Sequence, residues 1–281
     1  MSELLSTFRS FLLKRTGIAL EADRDYLVES RLSPLLRIAG IGDLQALLVQ
    51  AMSGSRPEVT RLVTEAMLTG ETFFFRDRQV FQTLRETILS ELLEARSEQR
   101  RLRIWCAACS TGQEPYSLAM ILDEEARRLR GWQIEIIATD LSETAIETAR
   151  AGLYNQFEVQ RGLPVSLLLR YFSRDKDRWR IAEHLRSMIE FRQLNLTEEK
   201  PPSGVFDLIF CRNVLMYFDP RTKQDILHRS SSALASDGWL LLGATENTSG
   251  LTTGLEPDLR AAGVYRLRKV WADRIVSRAR A

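Results

Sequence analysis

Cysteine and histidine are scarce in this 281-residue chain, and long apolar runs are missing altogether. Three cysteines, an odd number in a chain of this length, do not make a secreted disulfide framework. Cys106 and Cys109 have the spacing of a redox or metal pair, yet no second pair and no nearby histidine completes a ligand set. They read as structural thiols, and no metal is expected. The two histidines, His184 and His228, stand in no motif. No stretch approaches the roughly 18 consecutive apolar residues of a membrane span. At the N-terminus Glu3, Arg9, Lys14 and Arg15 interrupt any signal-peptide layout. Charge of one sign is lacking too: a net charge of +2 gives no whole-molecule field that calls for nucleic acid. These absences predict a cytoplasmic protein without membrane insertion; they leave the oligomeric state open, with a monomer as the default.

What is present is an ordinary globular mixture, 44% apolar and 27% charged, in a chain long enough to bury a full core. Residues 1–90 read as helices only. Leu4, Leu5, Phe8, Phe11 and Leu12 repeat at helical spacing before Gly17. A second helix begins near Asp23, and Ser33-Pro34 predicts a restart or kink. Asp43 caps a third, Pro57 opens a fourth, and a fifth spans about 77–96. Residues 91–101 read as a linker, with the polar, charged stretch 94–101 as the boundary. From Leu102 strands alternate with helices: strands near 103–107, 134–139, 189–194, 205–211, 239–243 and 264–267, helices near 114–130, 143–151 and 219–235. That rhythm predicts an α/β fold for 102–281, a mostly parallel sheet whose ligands bind beyond the carboxyl ends of the strands. Residues 153–192 break the alternation and read as a small inserted β-subdomain. The stretch 266–281 carries Arg266, Arg268, Lys269, Arg274, Arg278 and Arg280 against Asp273 alone. Such a tail either steers the chain toward an acidic surface or is a solvated final helix.

The chemistry concentrates at the carboxyl ends of the strands. The first strand runs into Ala107-Ala108-Cys109-Ser110-Thr111-Gly112, small residues that let backbone approach a ligand beside a helix N-terminus. The three-glycine dinucleotide pattern is absent, so a pyrophosphate cofactor is not indicated. Asp140, ending the second strand 28 residues after Gly112, can accept two hydrogen bonds from a ribose diol or else cap the next helix. Together the turn and the acid point to an adenosine ligand. Neither alone separates S-adenosylmethionine from NAD, but the missing glycines tilt toward the former.

These residues resemble a known family. Ser110-Thr111-Gly112-Gln113-Glu114-Pro115-Tyr116-Ser117-Leu118-Ala119 and Ala138-Thr139-Asp140-Leu141-Ser142 are similar to the cofactor motifs of chemotaxis receptor methyltransferases of the CheR type. So are Thr69-Gly70-Glu71-Thr72-Phe73-Phe74-Phe75-Arg76, the specific run Phe206-Asp207-Leu208-Ile209-Phe210-Cys211-Arg212-Asn213-Val214-Leu215-Met216-Tyr217-Phe218, and residues 238–247 ending in Glu246-Asn247. The resemblance implies a Rossmann-like methyltransferase sheet behind an all-helical N-terminal domain. It implies S-adenosylmethionine as cofactor, with S-adenosylhomocysteine as product, and methyl esterification of receptor glutamates. It also assigns roles. Thr72 and Arg76 would reach from the helical domain to the methionine part of the cofactor, Arg76 pairing with its carboxylate. Glu114 would take its amino group and Asp140 its ribose hydroxyls. Asn195 and Leu196 would lie against the adenine, and Asn213 and Val214 near the sulfonium. Tyr217 would help place the substrate carboxylate.

Two departures stand out. Gln113 occupies a position where the family often has Glu. The inserted stretch Ser173-Arg174-Asp175-Lys176-Asp177-Arg178-Trp179 lacks the glycine-containing loop of members that dock on a receptor's C-terminal pentapeptide, which implies pentapeptide-independent recognition of the cytoplasmic domains of methyl-accepting receptors. Two other readings remain open at this point: a methyltransferase of the same fold acting on another substrate, and a noncatalytic cofactor-binding module.

Overall fold

The structure, a computed structural model, describes residues 2–268. The described residues form two compact units, one of those up to Gly70 with Tyr217–Thr222, the other of Glu71–Met216 with those from Lys223 to Arg268. Of the basic C-terminal stretch, Lys269, Arg274, Arg278 and Arg280 lie outside the described residues.

The first unit contains α1 (Ser2–Thr16), α2 (Tyr26–Ala39), α3 (Leu44–Ser53) and α4 (Pro57–Met67). Their apolar faces close on Phe8, Leu12, Val28, Leu32, Leu47, Leu48, Val59 and Val63, all buried. Asp43 caps α3 as its type predicts, accepting the Ala46 N–H at 2.8 Å. Pro34 does not restart α2: the helix runs through it. The carbonyl that Pro34 cannot serve is that of Ser30, and both residues lie on the exposed face where water can take over.

The second unit begins with a turn at residues 71–76 and a helical rod of α5 (Arg78–Thr83), a π turn at Leu84–Ile88, and α6 (Leu89–Ala95). Sequence places this rod at the end of a helical domain of residues 1–90. In the structure its apolar face of Val80, Phe81, Leu84, Ile88, Leu89 and Leu92 belongs to the core under the sheet, so the compact units part at Gly70 instead. The sheet is built from β1 (Arg101–Ala107), β2 (Gln133–Asp140), β6 (Ile189–Gln193), β7 (Phe206–Cys211), β8 (Leu234–Leu241), β9 (Leu255–Pro257) and β10 (Val264–Leu267). Their order is β6-β2-β1-β7-β8-β10-β9. The first five are parallel, and β10 inserts antiparallel to both β8 and β9. This is the Rossmann-like α/β sheet of the sequence reading, with β9 an element it missed. Helices α7 (Gln113–Glu124), α8 (Glu143–Ala151) and α12 (Pro220–Ala233) follow β1, β2 and β7. The charged residues after Glu124 run in turns to Gly131 rather than continuing α7.

Between α8 and β6 lies the inserted subdomain. It holds a three-stranded sheet of β3 (Leu153–Tyr154), β5 (Arg178–Ile181) and β4 (Phe172–Asp175), with short helices α9 (Gln156–Gln160), α10 (Val165–Tyr171) and α11 (Glu183–Ser187). Among the described residues no single helix is long and apolar enough to cross a membrane.

Candidate functional site

Four loops leave the carboxyl ends of β1, β2, β7 and β8, and each carries charge into a largely buried setting. After β1 the backbone turns sharply: Ala108 and Ser110 have φ of 60° and 50°, and Gly112 opens α7 at φ 95°. A Cβ on Gly112 would sit 2.9 Å from the Ala149 Cβ and 3.2 Å from the Tyr154 hydroxyl, so only glycine fits this left-handed position. The Cys109 N–H reaches the Thr139 carbonyl at 2.9 Å, tying the loop to the end of β2. Asp140 completes the tie, accepting from the N–H of Ser110 at 2.7 Å and of Ser142 at 2.9 Å. Ser142, not Asp140, caps α8 through the Ala145 N–H. A carboxylate has about four acceptor positions, so half-buried Asp140 can pin the loop and also serve a diol.

Glu114, in the first turn of α7, is buried. Its partner is Arg212, immediately after β7, whose side chain is 1% exposed. The Arg212 guanidinium donates to Glu114 Oε2 at 2.8 Å, to Asp77 Oδ2 at 2.7 Å and to the Arg76 carbonyl at 3.0 Å. Burial pushes the Glu114 carboxyl above the usual range, against the pull of Arg212 and, more weakly, of Arg76. A second buried acid adds to the push from the β8 exit. Glu246 accepts the N–H of Asn213 at 2.7 Å, Leu215 at 2.8 Å, Met216 at 3.3 Å and Gly243 at 2.8 Å. It holds Asn213, at φ 57°, and the turn after it against the end of β8. The exit of β6 lies beside that of β2: the Leu194 N–H reaches the Asp140 carbonyl at 2.9 Å. There Asn195 is buried, its Oδ1 accepting from the N–H and hydroxyl of Thr197, and Leu196 is half-buried with its carbonyl taken by Arg229.

The structure thus gathers Arg76, Glu114 and Asn213 around Arg212 and Glu246, and Asp140 with Asn195 one strand further along. Val214 and Thr72 are half-buried neighbours on the same loops. Thr72 and Arg76 belong to the sheet unit itself, not to the helical domain. Tyr217, ending the 3-10 turn Leu215–Tyr217, is grouped with the helical unit, where its carbonyl accepts the Ala19 N–H at 3.4 Å. Sequence reasoning gave no role to Arg212 or Glu246. The signal was there: single charged residues just past buried apolar strands, where α/β sheets place their ligands. The three cysteines are buried free thiols, each raised well above its ordinary range by burial. Among the described residues no cluster of three or more His, Cys, Asp or Glu could hold a metal ion.

The donor set fits S-adenosylmethionine. A buried carboxylate suits an ammonium, a neighbouring guanidinium a carboxylate, and a strand-ending aspartate a diol. Comparison with known proteins agrees. Residues 70–257 match the family described as CheR methyltransferase, SAM binding domain, and residues 3–67 match the CheR methyltransferase all-alpha domain. A chemotaxis protein methyltransferase 1 of Pseudomonas aeruginosa is 44% identical over 87% of this chain and 90% of its own length. A chemotaxis protein methyltransferase Cher2 of Pseudomonas putida is 42% identical over the same 87% and 90%. One from Vibrio parahaemolyticus is 38% identical over 89% and 90%. The chain belongs to the CheR methyltransferase family, with an S-adenosylmethionine-binding domain on its sheet and the family's all-α domain before it.

Proposed function

We propose that this protein transfers the methyl group of S-adenosylmethionine to glutamate side chains in the cytoplasmic domains of chemotaxis receptors, forming methyl esters. The observation that carries this reading is the buried Glu114–Arg212 pair with Arg76 beside it, in a chain similar over most of its length to proteins named chemotaxis methyltransferases. In this reading Glu114 holds the cofactor's ammonium and Arg76, next to Thr72, its carboxylate. Asp140 holds the ribose, Asn195 and Leu196 flank the adenine, and Asn213 and Val214 line the reacting centre. Tyr217 orients one oxygen of the incoming carboxylate.

The substrate makes few demands. A glutamate side chain, with an ordinary pKa of about 4.3, is already ionised at neutral pH, so no general base is needed. The protein's work is to align the two partners and exclude water, which is worth several kcal/mol by proximity alone. When bound, the cofactor would supply a methyl group on cationic sulfur, which a carboxylate oxygen would take up while the electron pair of the broken carbon–sulfur bond stays on sulfur.

Purified protein incubated with methyl-labelled cofactor and receptor cytoplasmic fragments should place base-labile label on glutamates, with inversion at a chiral methyl. Base-stable label, or retention, would overturn the reading. The inserted hairpin supports receptor docking without a C-terminal pentapeptide: β4 and β5 are joined by Lys176 and Asp177 alone, Lys176 at φ 57°. Fragments with and without the C-terminal extension should then be methylated at equal rates.

A further inference from the structure

We propose that Arg161 and Gly162, in the turn between α9 and α10 of the inserted subdomain, are positioning residues that set Arg76 for the methionine end of the cofactor. The proposal rests on the reading of Arg76 given above and adds the part of the molecule that aims it.

Residues 71–76 have little regular structure of their own, so something else must fix them. Arg76 donates through Nη1 to the Glu71 carbonyl at 2.8 Å, and its guanidinium lies 5.6 Å from the centre of the Phe73 ring. Both Glu71 and Phe73 are held in turn by Arg161. Its guanidinium lies 4.4 Å from the same ring centre and pairs with the Glu71 carboxylate, which it keeps below the usual range. Gly162 adds a steric stop. At φ +84° it packs so closely that a Cβ would stand 2.1 Å from the Phe74 carbonyl oxygen and 3.0 Å from Phe73 Cδ2. Phe74 is fully buried, edge-on to Tyr154 at 5.1 Å and Phe172 at 5.6 Å, both residues of the inserted sheet. The far side of the segment is anchored in the main domain, by the Phe75 N–H on the Ser117 hydroxyl at 2.9 Å and by Arg212 on the Arg76 carbonyl. The backbone of the segment is therefore clamped from two sides. The side chains that lead to Arg76 are held by the inserted subdomain.

The roles separate by ligand. S-adenosylhomocysteine carries the amino-acid end that Arg76 would grip, whereas 5′-methylthioadenosine keeps the adenosine and lacks that end. In calorimetric titrations, Arg161→Ala should weaken S-adenosylhomocysteine roughly three- to tenfold, the size expected for loss of one exposed ion pair and one cation–ring contact. Affinity for 5′-methylthioadenosine should not change, and the melting temperature should fall by no more than the few degrees that loss of one exposed pair and one ring contact costs. Arg161→Lys, which keeps the charge but not the flat guanidinium, should fall between. In an Arg76→Ala background Arg161→Ala should have no further effect. Equal losses for both ligands, no loss for either, or losses that simply add to that of Arg76→Ala would overturn the proposal. If Arg76→Ala itself leaves the preference for S-adenosylhomocysteine unchanged, the reading of Arg76 fails instead.

Discussion

Both ends of the parallel strands carry networks of arginine and carboxylate, and the two networks are built to opposite effect. At the amino ends Arg96 bridges Asp207 at 2.7 Å and Asp237 at 2.5 Å, while Arg103 binds Glu135 at 2.7 Å and its N–H reaches Asp207 at 2.8 Å. Asp207 is buried, but Arg96, Arg103 and Glu135 are partly exposed and Asp237 exposed, and their neighbours favour charge: Glu135 and Asp237 are held below the usual carboxylate range by Arg103 and Arg96 respectively. At the carboxyl ends Arg212 is sealed from water, and Glu114 is pushed up by burial in spite of its partner. One end uses ion pairs to fasten strands together. The other keeps a carboxylate in a setting that disfavours its charge, the condition under which a cationic ligand is most welcome.

The sharpest way to break this contrast is to remove the two arginines in turn. Arg212→Met should cost about 3–5 kcal/mol, because Glu114 is left buried without its cation. Arg103→Met should cost only roughly 1 kcal/mol, since Glu135 is open to water and keeps Arg101 at 3.2 Å. Urea denaturation of both variants checks this, and equal losses would erase the distinction. Next in size is Glu246→Gln. A single amide oxygen cannot accept all four N–H groups, and the amide's own hydrogens would face donors. The expected loss is roughly 1–3 kcal/mol, with weaker cofactor binding as Asn213 and the turn after it loosen.

The amino-end network was invisible in the sequence because its pairs join residues about 30 to 140 positions apart, and only the strand register brings them together. The architecture was more legible. Alternating apolar runs, caps at Asp43 and Ser142 and the helix-opening Pro57 gave the element order, since those signals are local. Where reading failed, tertiary packing had decided. Pro34 sits inside α2 because its face is solvated, and α5–α6 join the sheet unit because their apolar side has its partners there. The candidate cofactor residues were named from resemblance and now have surroundings. The places of Arg212 and Glu246 past buried strands were a signal in the sequence, but the work each does shows only in the fold, because each collects groups from several loops at once.

The pH behaviour of Glu114 sharpens the contrast further. Its carboxyl titrates above the ordinary 4.5, and an ammonium ligand requires the ionised form. Affinity for S-adenosylhomocysteine should therefore weaken on acidification, the loss beginning above 4.5 and approaching tenfold per pH unit, about 1.4 kcal/mol. Glu114→Gln should bind more weakly and lose that slope. Calorimetry across this range decides it, and a flat profile for the unaltered protein down to 4.5 would remove Glu114 from the ammonium site.

The smallest effect belongs to the amino ends, where the carboxyl is shifted in the opposite direction. Glu135 titrates lower in the folded protein than in the unfolded chain, so its pairing with Arg103 stabilises the fold above the unfolded pKa of about 4.5. That contribution is lost as pH falls through the depressed folded value. Glu135→Gln should thus cost roughly 0.5–1 kcal/mol at pH 7 and nothing once both forms carry a neutral side chain. The two denaturation curves should converge on acidification. Curves that stay parallel would mean that Glu135 contributes by packing rather than charge, and the amino-end network would no longer be the electrostatic counterpart of the buried one.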